Sequence, residues 1–417
     1  MSSGAAVMSQ TMPPPVYDPF APGFTDDPYP QYAALRAGAP AGRHPLGFWL
    51  LTRYEDVSAL LRANMSVEDR NVTDRELIEL REQMFGEEDE ARARNRSMLD
   101  RDPPDHTRLR RLVSKAFTPR AIEALRPRIT ALVDEMLDTA GRQGQVDLVD
   151  ALAFPLPFAV IGEMLGTPPA DHERIRQLSG TVVRSLEPVN DPDTARAIIE
   201  ADAELTGIAA EMIAWKRANP AGDLLTALIN AEDGGDVLND EELISQTLLL
   251  YIAGHETTVN LIAGGTLALL RHQDQLARLR AEPGLTGNAV EEMLRYDSPV
   301  QATRRITLEP ASFGGVTIPA GSFVMALLGS ANRDESYFGP DAGRLRLDRE
   351  NARQHVSFGA GPHHCLGASL ARMEAAIALD RLVTRFPGLA LDGEPSWNGR
   401  INLRGPALLP VSLSPSR

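Results

Sequence analysis

The sequence predicts a mainly α-helical protein with a small β region, on three observations. Apolar residues recur at helical spacing over most of the chain; strand-like runs are few and short; and one long helical pattern, Asp240 to Leu270, is long enough to cross a core. At about 1.5 Å per residue, about 30 residues span about 45 Å. In chain order, Met1 to Pro15 is a floppy lead-in ending in three prolines, and Tyr17 to Gly47 is rich in Pro and aromatics. Phe48 to Thr52 reads as a short strand, and Tyr54 to Arg62 as a helix. Asn71 to Asn95 is dense in Glu and Arg with scattered Leu, Ile and Met, which suits a helix-containing surface excursion able to act as a mobile lid. Helical periodicity returns over Arg108 to Ala116, Ala121 to Ala140 and Ala195 to Asn219. Asn239 or Asp240 can cap the long central helix, and Asn288 to Tyr296 is a further helix. Phe313 to Ile318 reads as a strand stretch bounded by Gly and Pro, and Leu366 to Phe386 as a helix with Leu370, Met373, Ile377 and Leu379 facing the core. With no repeat, linker or compositional break, residues 1–16 are expected to be a flexible lead and residues 17–417 a single domain.

Composition narrows the function. Asp and Glu number 57 against 42 Lys and Arg, a net charge of −15, so a phosphate backbone or an anionic lipid surface is an unsuitable partner. The N-terminus lacks the basic start and apolar stretch of a signal peptide. Leu248 to Leu270 is the one membrane-like run, but Glu256 lies within it, and an acid at bilayer centre costs roughly 2.5 kcal/mol or more. A cytoplasmic protein is expected. The single cysteine, Cys365, excludes an intramolecular disulfide and any multi-thiolate metal site.

Cys365 ends the run Phe358-Gly359-Ala360-Gly361-Pro362-His363-His364 and precedes Leu366-Gly367-Ala368 and a strong helix. A cysteine at a helix N-terminus is favoured as thiolate, and glycines let backbone approach a flat ligand. In mid-helix, Ala253-Gly254-His255-Glu256-Thr257-Thr258 interrupts an apolar pattern with an acid and hydroxyls. Thr257 can bond to a carbonyl one turn back, opening the helix locally into a groove. His106 and Arg110 stand at i and i+4 of a helix begun by Pro103-Pro104, hence on one face. Glu292 and Arg295 form an i, i+3 pair that alone would be an ordinary surface contact.

The segment from Phe358 to Gly367 resembles the haem-binding loop of the cytochrome P450 monooxygenases at every defining position, and the likeness runs from about Pro28 to Pro410. The resemblance implies the P450 fold, with haem b buried between the long central helix and the Cys-containing proximal loop. It implies Cys365 as iron ligand, with Phe358, Gly359, Gly367, Ala253 and Gly254 lining the cofactor. His106, Arg110, Arg304 and His363 match the haem-propionate donors, with Arg305 the alternative if the register shifts by one. Glu256 and Thr257 match the acid–alcohol pair that delivers protons for O2 activation. Glu292 and Arg295 match the structural Glu-x-x-Arg motif, whose third member is expected between Pro340 and Arg349. There Leu345 replaces the usual Phe and Ala342-Gly343 looks inserted, leaving Arg344 as the best match. Val300, Ala302, Ile401 and Asn402, with Ala253, match the substrate pocket, and the lid excursion and the region from Arg184 to Ala210 would border it.

The implied activity is insertion of one oxygen atom from O2 into an apolar, mid-sized substrate such as a macrolide, steroid, terpenoid or fatty acid, hydroxylation being the default outcome. The chain carries no flavin or iron–sulfur signature, so electrons are expected from a separate ferredoxin and an NAD(P)H-dependent ferredoxin reductase, and a monomer is expected. The basic stretch Arg108, Arg110, Arg111, Lys115, Arg120, Arg126 and Arg128 would steer an acidic ferredoxin. Two rivals share the haem loop. A peroxide-driven peroxygenase typically lacks the acid–alcohol pair, and a non-catalytic haem-thiolate sensor needs no proton relay.

Overall fold

The structure, a computed structural model, describes residues 14–85, 96–166, 172–187, 189 and 191–413. Its axis is the helix Asp240–Arg271. Asn239 accepts from the Glu242 amide while the Glu242 carboxylate accepts from the Asn239 amide, and three acids in the first turn and Arg271 in the last complement the helix dipole. From Thr258 to Leu270 every residue is buried, which explains why its apolar pattern wraps around the helix. The helices Pro155–Leu165, Pro192–Ala218, Thr286–Tyr296 and Ala368–Arg385 pack against it. Val259, Ile262, Leu269, Met293, Leu294, Ala375 and Leu379 belong to one apolar core with Ile129, Val133 and Leu137 of the helix Arg126–Gln143.

Two expected boundaries shift for local reasons. The stretch Ala121 to Ala140 is split into Pro119–Ala124 and Arg126–Gln143, because the Pro127 ring cannot continue a preceding helix. The C-terminal helix begins at Ala368, so Cys365 lies just ahead of the first turn rather than in it. The helix Asp105–Ala116 starts one turn earlier than its apolar pattern and carries both His106 and Arg110.

The β part is a four-stranded sheet in the order Ala41–Arg43, Trp49–Leu51, Phe323–Leu327, Ala302–Ile306, with the middle pair parallel. Phe313 to Ile318 is a hairpin, Ala311–Phe313 against Val316–Ile318, turning through Gly314 and Gly315, both at positive φ. A three-stranded sheet joins Ala390–Leu391, Pro410–Ser412 and Gln145–Asp147. Of the expected lid, the helix Arg75–Phe85 packs against Pro192–Ala218, and residues 86–95 lie outside the described residues, as does most of the N-terminal lead. Among the described residues no helix is long and apolar enough to cross a membrane.

Candidate active site

The cysteine loop is closed by a hydrogen bond from the Cys365 amide to the Phe358 carbonyl, 2.9 Å. Gly361, at φ +69°, packs so closely on the helix Tyr54–Arg62 that a Cβ there would stand 2.4 Å from the Leu61 carbonyl oxygen. Phe358 is held from behind by the Arg372 guanidinium, 4.5 Å from its ring centre. Cys365 is exposed as a residue, yet protein atoms stand close around its thiol. That desolvation pushes the thiol above its ordinary pKa, against the pull of the Gly367 amide, Arg110, Arg372 and the Ala368 amide. The two amides at the start of the helix and the two guanidiniums are the features expected to favour a thiolate, and they act against that burial.

Around this loop the structure gathers donors. His106 and His363 lie ring to ring at 4.1 Å, and Arg110 donates to the His364 carbonyl at 2.6 Å. Burial depresses the His363 pKa to about 3, helped by His106, Arg305 and Arg110, and lowers that of His106, helped by Arg110. Arg305 is buried, its pKa lowered to about 10 by desolvation and by Arg304, and its hydrogen bonds go only to Thr303 and the Arg304 carbonyl among the described residues. Arg304 instead pairs with Asp69 and approaches Asp100. The two arginines are neighbours on one strand, paired with Met325 and Val324, so they face opposite ways, and the one facing the histidines is Arg305.

On the central helix, Ala253 is exposed between the buried Tyr251 and His255, so this helix borders an opening at mid-length. The helix continues unbroken through Gly254 and Thr258, contrary to the expected local opening. Thr257 and Thr258 donate to the carbonyls of Ala253 and Gly254, each at 3.1 Å, and these bonds are accommodated within the helical turn. Glu256 is ion-paired with Arg400, which the sequence did not mark, and lies 3.8 Å from His255 Nε2. The expected pocket residues converge: Val300 bridges to Leu403, and the Ala302 amide donates to Asn402 Oδ1 at 2.8 Å, with Ile401 adjacent.

Glu292 and Arg295 are wholly buried at 2.7 Å. The third member is Arg349, whose Nε donates to Glu292 at 3.1 Å; the Arg344 side chain is exposed, and only its carbonyl takes part, accepting from Arg295 and Arg349. The looping segment has no periodicity that would have singled out Arg349 among its three arginines. The supposed insertion is integral, since the Ala342 carbonyl accepts from Arg295 at 2.7 Å. The basic stretch is largely compensated: Arg108 pairs with Asp236 and Glu242, Arg111 and Lys115 with Asp233, Arg126 with Glu123, and Arg128 with Glu163.

The cytochrome P450 family matches residues 193–398. The chain is 43% identical over 414 residues to cytochrome P450 monooxygenase PikC of Streptomyces venezuelae, covering 96% of this chain and 95% of that protein. It is 40% identical over 408 residues to vitamin D(3) 25-hydroxylase of Pseudonocardia autotrophica, covering 96% and 97%. The crystal structure of myxobacterial CYP267B1 in complex with myristic acid matches with a TM-score of 0.86 at 38% identity, over 95% of this chain and 99% of that one. Fold, cysteine loop and central helix thus define a haem-thiolate oxygenase. The chain belongs to the cytochrome P450 family and is a monooxygenase. Membership implies haem, O2, a redox partner and a small substrate. The residues present fit a haem: Cys365 is exposed, and the buried His106 Nε2 has no hydrogen-bond partner among the described residues. Beside it stand His363, Arg110 and Arg305, the surroundings that an anionic group such as a haem carboxylate would complete.

Proposed function

We propose that this protein hydroxylates an apolar, mid-sized molecule with one atom of O2, carrying haem b on Cys365 and drawing electrons from a ferredoxin and an NAD(P)H-dependent ferredoxin reductase, as a cytoplasmic monomer whose residues 17–417 act as one domain. The observation that carries the reading is the conjunction of the exposed Cys365 with a cluster of donors, His106, His363, Arg110 and Arg305, that have no ion pair to a carboxylate among the described residues, Asp102 acting on His106 and Arg305 only through its field. A thiolate-bound haem supplies oxygen activation by O–O cleavage, and the protein supplies position and protons.

The residue roles follow from their surroundings. His106, Arg110, Arg305 and His363 would hold the two propionates by charge-assisted hydrogen bonds, Arg305 taking the role first given to Arg304 because Arg304 is engaged by Asp69. Phe358, Gly359 and Gly367 would shield the proximal side, with Ala253 and Gly254 facing the other. Glu256 and Thr257 would pass protons inward, Thr257 Oγ1 being able to accept one from the acid's side while it donates to Ala253. Val300, Ala302, Ile401 and Asn402 would contact substrate. The relatives named for vitamin D(3) hydroxylation and crystallised with myristic acid support an elongated apolar substrate. The acid–alcohol pair favours this over a peroxide-driven reaction or a sensor. The compensated basic face leaves Arg120, exposed beside the helix Asp105–Ala116, as a candidate ferredoxin contact.

The test is turnover under labelled dioxygen with ferredoxin, reductase and a panel of sterols, macrolides and fatty acids. Product carrying one labelled oxygen atom is the expected result. Oxygen taken only from peroxide, or haem loading without turnover of any panel member, would count against the reading.

A further inference from the structure

We propose that Arg400 is a positioning residue for Glu256, and that Glu187 sets Arg400 in place through the backbone of residues 401–403. The inference rests on Glu256 serving in proton delivery. Arg400 stands in the turn between the strands Ser396–Trp397 and Pro406–Leu408, 144 residues beyond its partner, and reaches back to the central helix. The Glu256 and Arg400 side chains are only 16% and 21% exposed, so solvent screens this pair less than a surface pair. Beyond Arg400, the titratable group that the described residues bring within 4 Å of this carboxylate is His255 on its own helix, at 3.8 Å, a buried imidazole whose pKa desolvation lowers. Arg400 is thus the group that fixes the direction of the acid, one residue from Thr257.

The turn has no regular structure of its own to hold it. Gly399, at φ +68°, makes the reversal, the Arg400 amide donates to Asn398 Oδ1 at 3.1 Å, and Asn398 Nδ2 donates to the Leu403 carbonyl at 2.7 Å. The remaining anchor comes from elsewhere in the chain. Three successive amides, Ile401, Asn402 and Leu403, converge on the Glu187 carboxylate: Ile401 at 2.8 Å, Asn402 at 2.8 and 3.1 Å, and Leu403 at 3.0 Å. Successive amides aimed at one point make an anion-binding hollow, and a carboxylate in it makes charge-assisted bonds. The Asn402 side chain adds a bond to the Leu186 carbonyl at 3.3 Å and accepts from Ala302 at 2.8 Å.

Glu187 follows the short turn Val183–Leu186 and precedes the helix Pro192–Ala218, within the stretch Arg184 to Ala210 expected to border the substrate. The contacts therefore form one line: that stretch holds the 401–403 backbone, that backbone carries Arg400, and Arg400 orients the acid. The position of the stretch is communicated to the proton-delivery site by hydrogen bonds rather than by apolar packing.

The test compares Arg400→Gln, Arg400→Lys, Glu187→Gln, Glu256→Gln and Thr257→Ala. Two quantities are read: product formed per reduced cofactor consumed, and amide hydrogen exchange of residues 398–405 in haem-free and haem-loaded protein. Arg400→Gln should lower coupling on the order of tenfold, the low end of what loss of an orienting partner costs, with Arg400→Lys restoring most of it. Glu187→Gln should speed exchange of the 401–403 amides in both forms and lower coupling in the same direction. If Glu187 only shaped the cavity, KM would rise with coupling intact, and the inference fails. If Glu256→Gln and Thr257→Ala uncouple the enzyme while Arg400→Gln does not, the positioning role alone is overturned. If none of the variants uncouples, the proton-delivery reading falls and takes this inference with it.

Discussion

Two charged regions flank the cysteine loop, and they are built on opposite principles. Around Arg295 every direction is satisfied: Nε and Nη2 reach Glu292, Nη1 reaches the carbonyls of Asn332 and Ala342, and Nη2 also reaches the Arg344 carbonyl. Glu291 nearby is held at a pKa of about 2, its burial overcome by His355 and Arg372. Around His106 two guanidiniums, Arg110 and Arg305, outweigh one acid, Asp102, and a buried ring nitrogen has no hydrogen-bond partner among the described residues. A buried polar group left open costs free energy, so an unpartnered ring nitrogen among donors that have only neutral acceptors marks where the chain is completed by something other than itself. The first region is scaffold; the second is a binding site.

Predictions that probe this contrast begin with the scaffold. Glu292→Ala strands Arg295 in the core and leaves Arg349 with Asp341 as its remaining acid, and loss of one partner of a buried pair costs about 3–5 kcal/mol, readable by denaturant unfolding. Arg344→Ala should stay within about 0.5 kcal/mol, since the side chain is exposed and the carbonyl survives the change. Equal losses from the two variants would contradict Arg349 as the third member.

The scaffold side has its own unpartnered acid, Glu374 on the helix Ala368–Arg385, buried with Oε2 lacking a hydrogen bond among the described residues. Burial raises its pKa from 4.5 to about 8, so the folded state holds the proton that the unfolded chain releases. Its contribution is fully present below pH 4.5 and is lost as pH rises towards 8, at up to about 1.4 kcal/mol per unit. Glu374→Gln should fall in stability less steeply than the wild type between pH 5 and pH 8; equal slopes would show that the acid is not held neutral.

On the binding side the effect on the fold should be smallest and the effect on the cofactor selective. His106→Ala strands no hydrogen-bond partner among the described residues, so haem-free protein should lose less stability than Glu292→Ala does, while haem dissociation quickens on the order of tenfold. Arg305→Ala should do likewise, and Arg304→Ala should release haem at the wild-type rate because its partners are Asp69 and Asp100. The reverse ranking would return the role to Arg304.

Motifs contiguous in the chain were legible in advance, and pairings across the chain were not. The cysteine loop, the central helix with its cap, and the Glu292–Arg295 spacing are local patterns that the structure places in one core. The choice between Arg304 and Arg305 depended on which face of a strand meets the histidines, and it follows only from the pairing with Phe323–Leu327. Arg349, Arg400 and Glu187 lie in loops without periodicity and act on residues 57, 144 and 214 to 216 positions away. The basic stretch was read correctly as residues but not as a field, because the compensating acids Asp233 and Asp236 come from a distant hairpin.

The central claim is that Cys365 is the iron ligand of this monooxygenase, and its most direct measurement is the absorption spectrum of the reduced, carbon-monoxide-bound protein. The account predicts the strongly red-shifted Soret band of thiolate ligation in the wild type, and its disappearance in Cys365→Ala. A histidine-like spectrum in the wild type, or the same red-shifted band after the substitution, would contradict it.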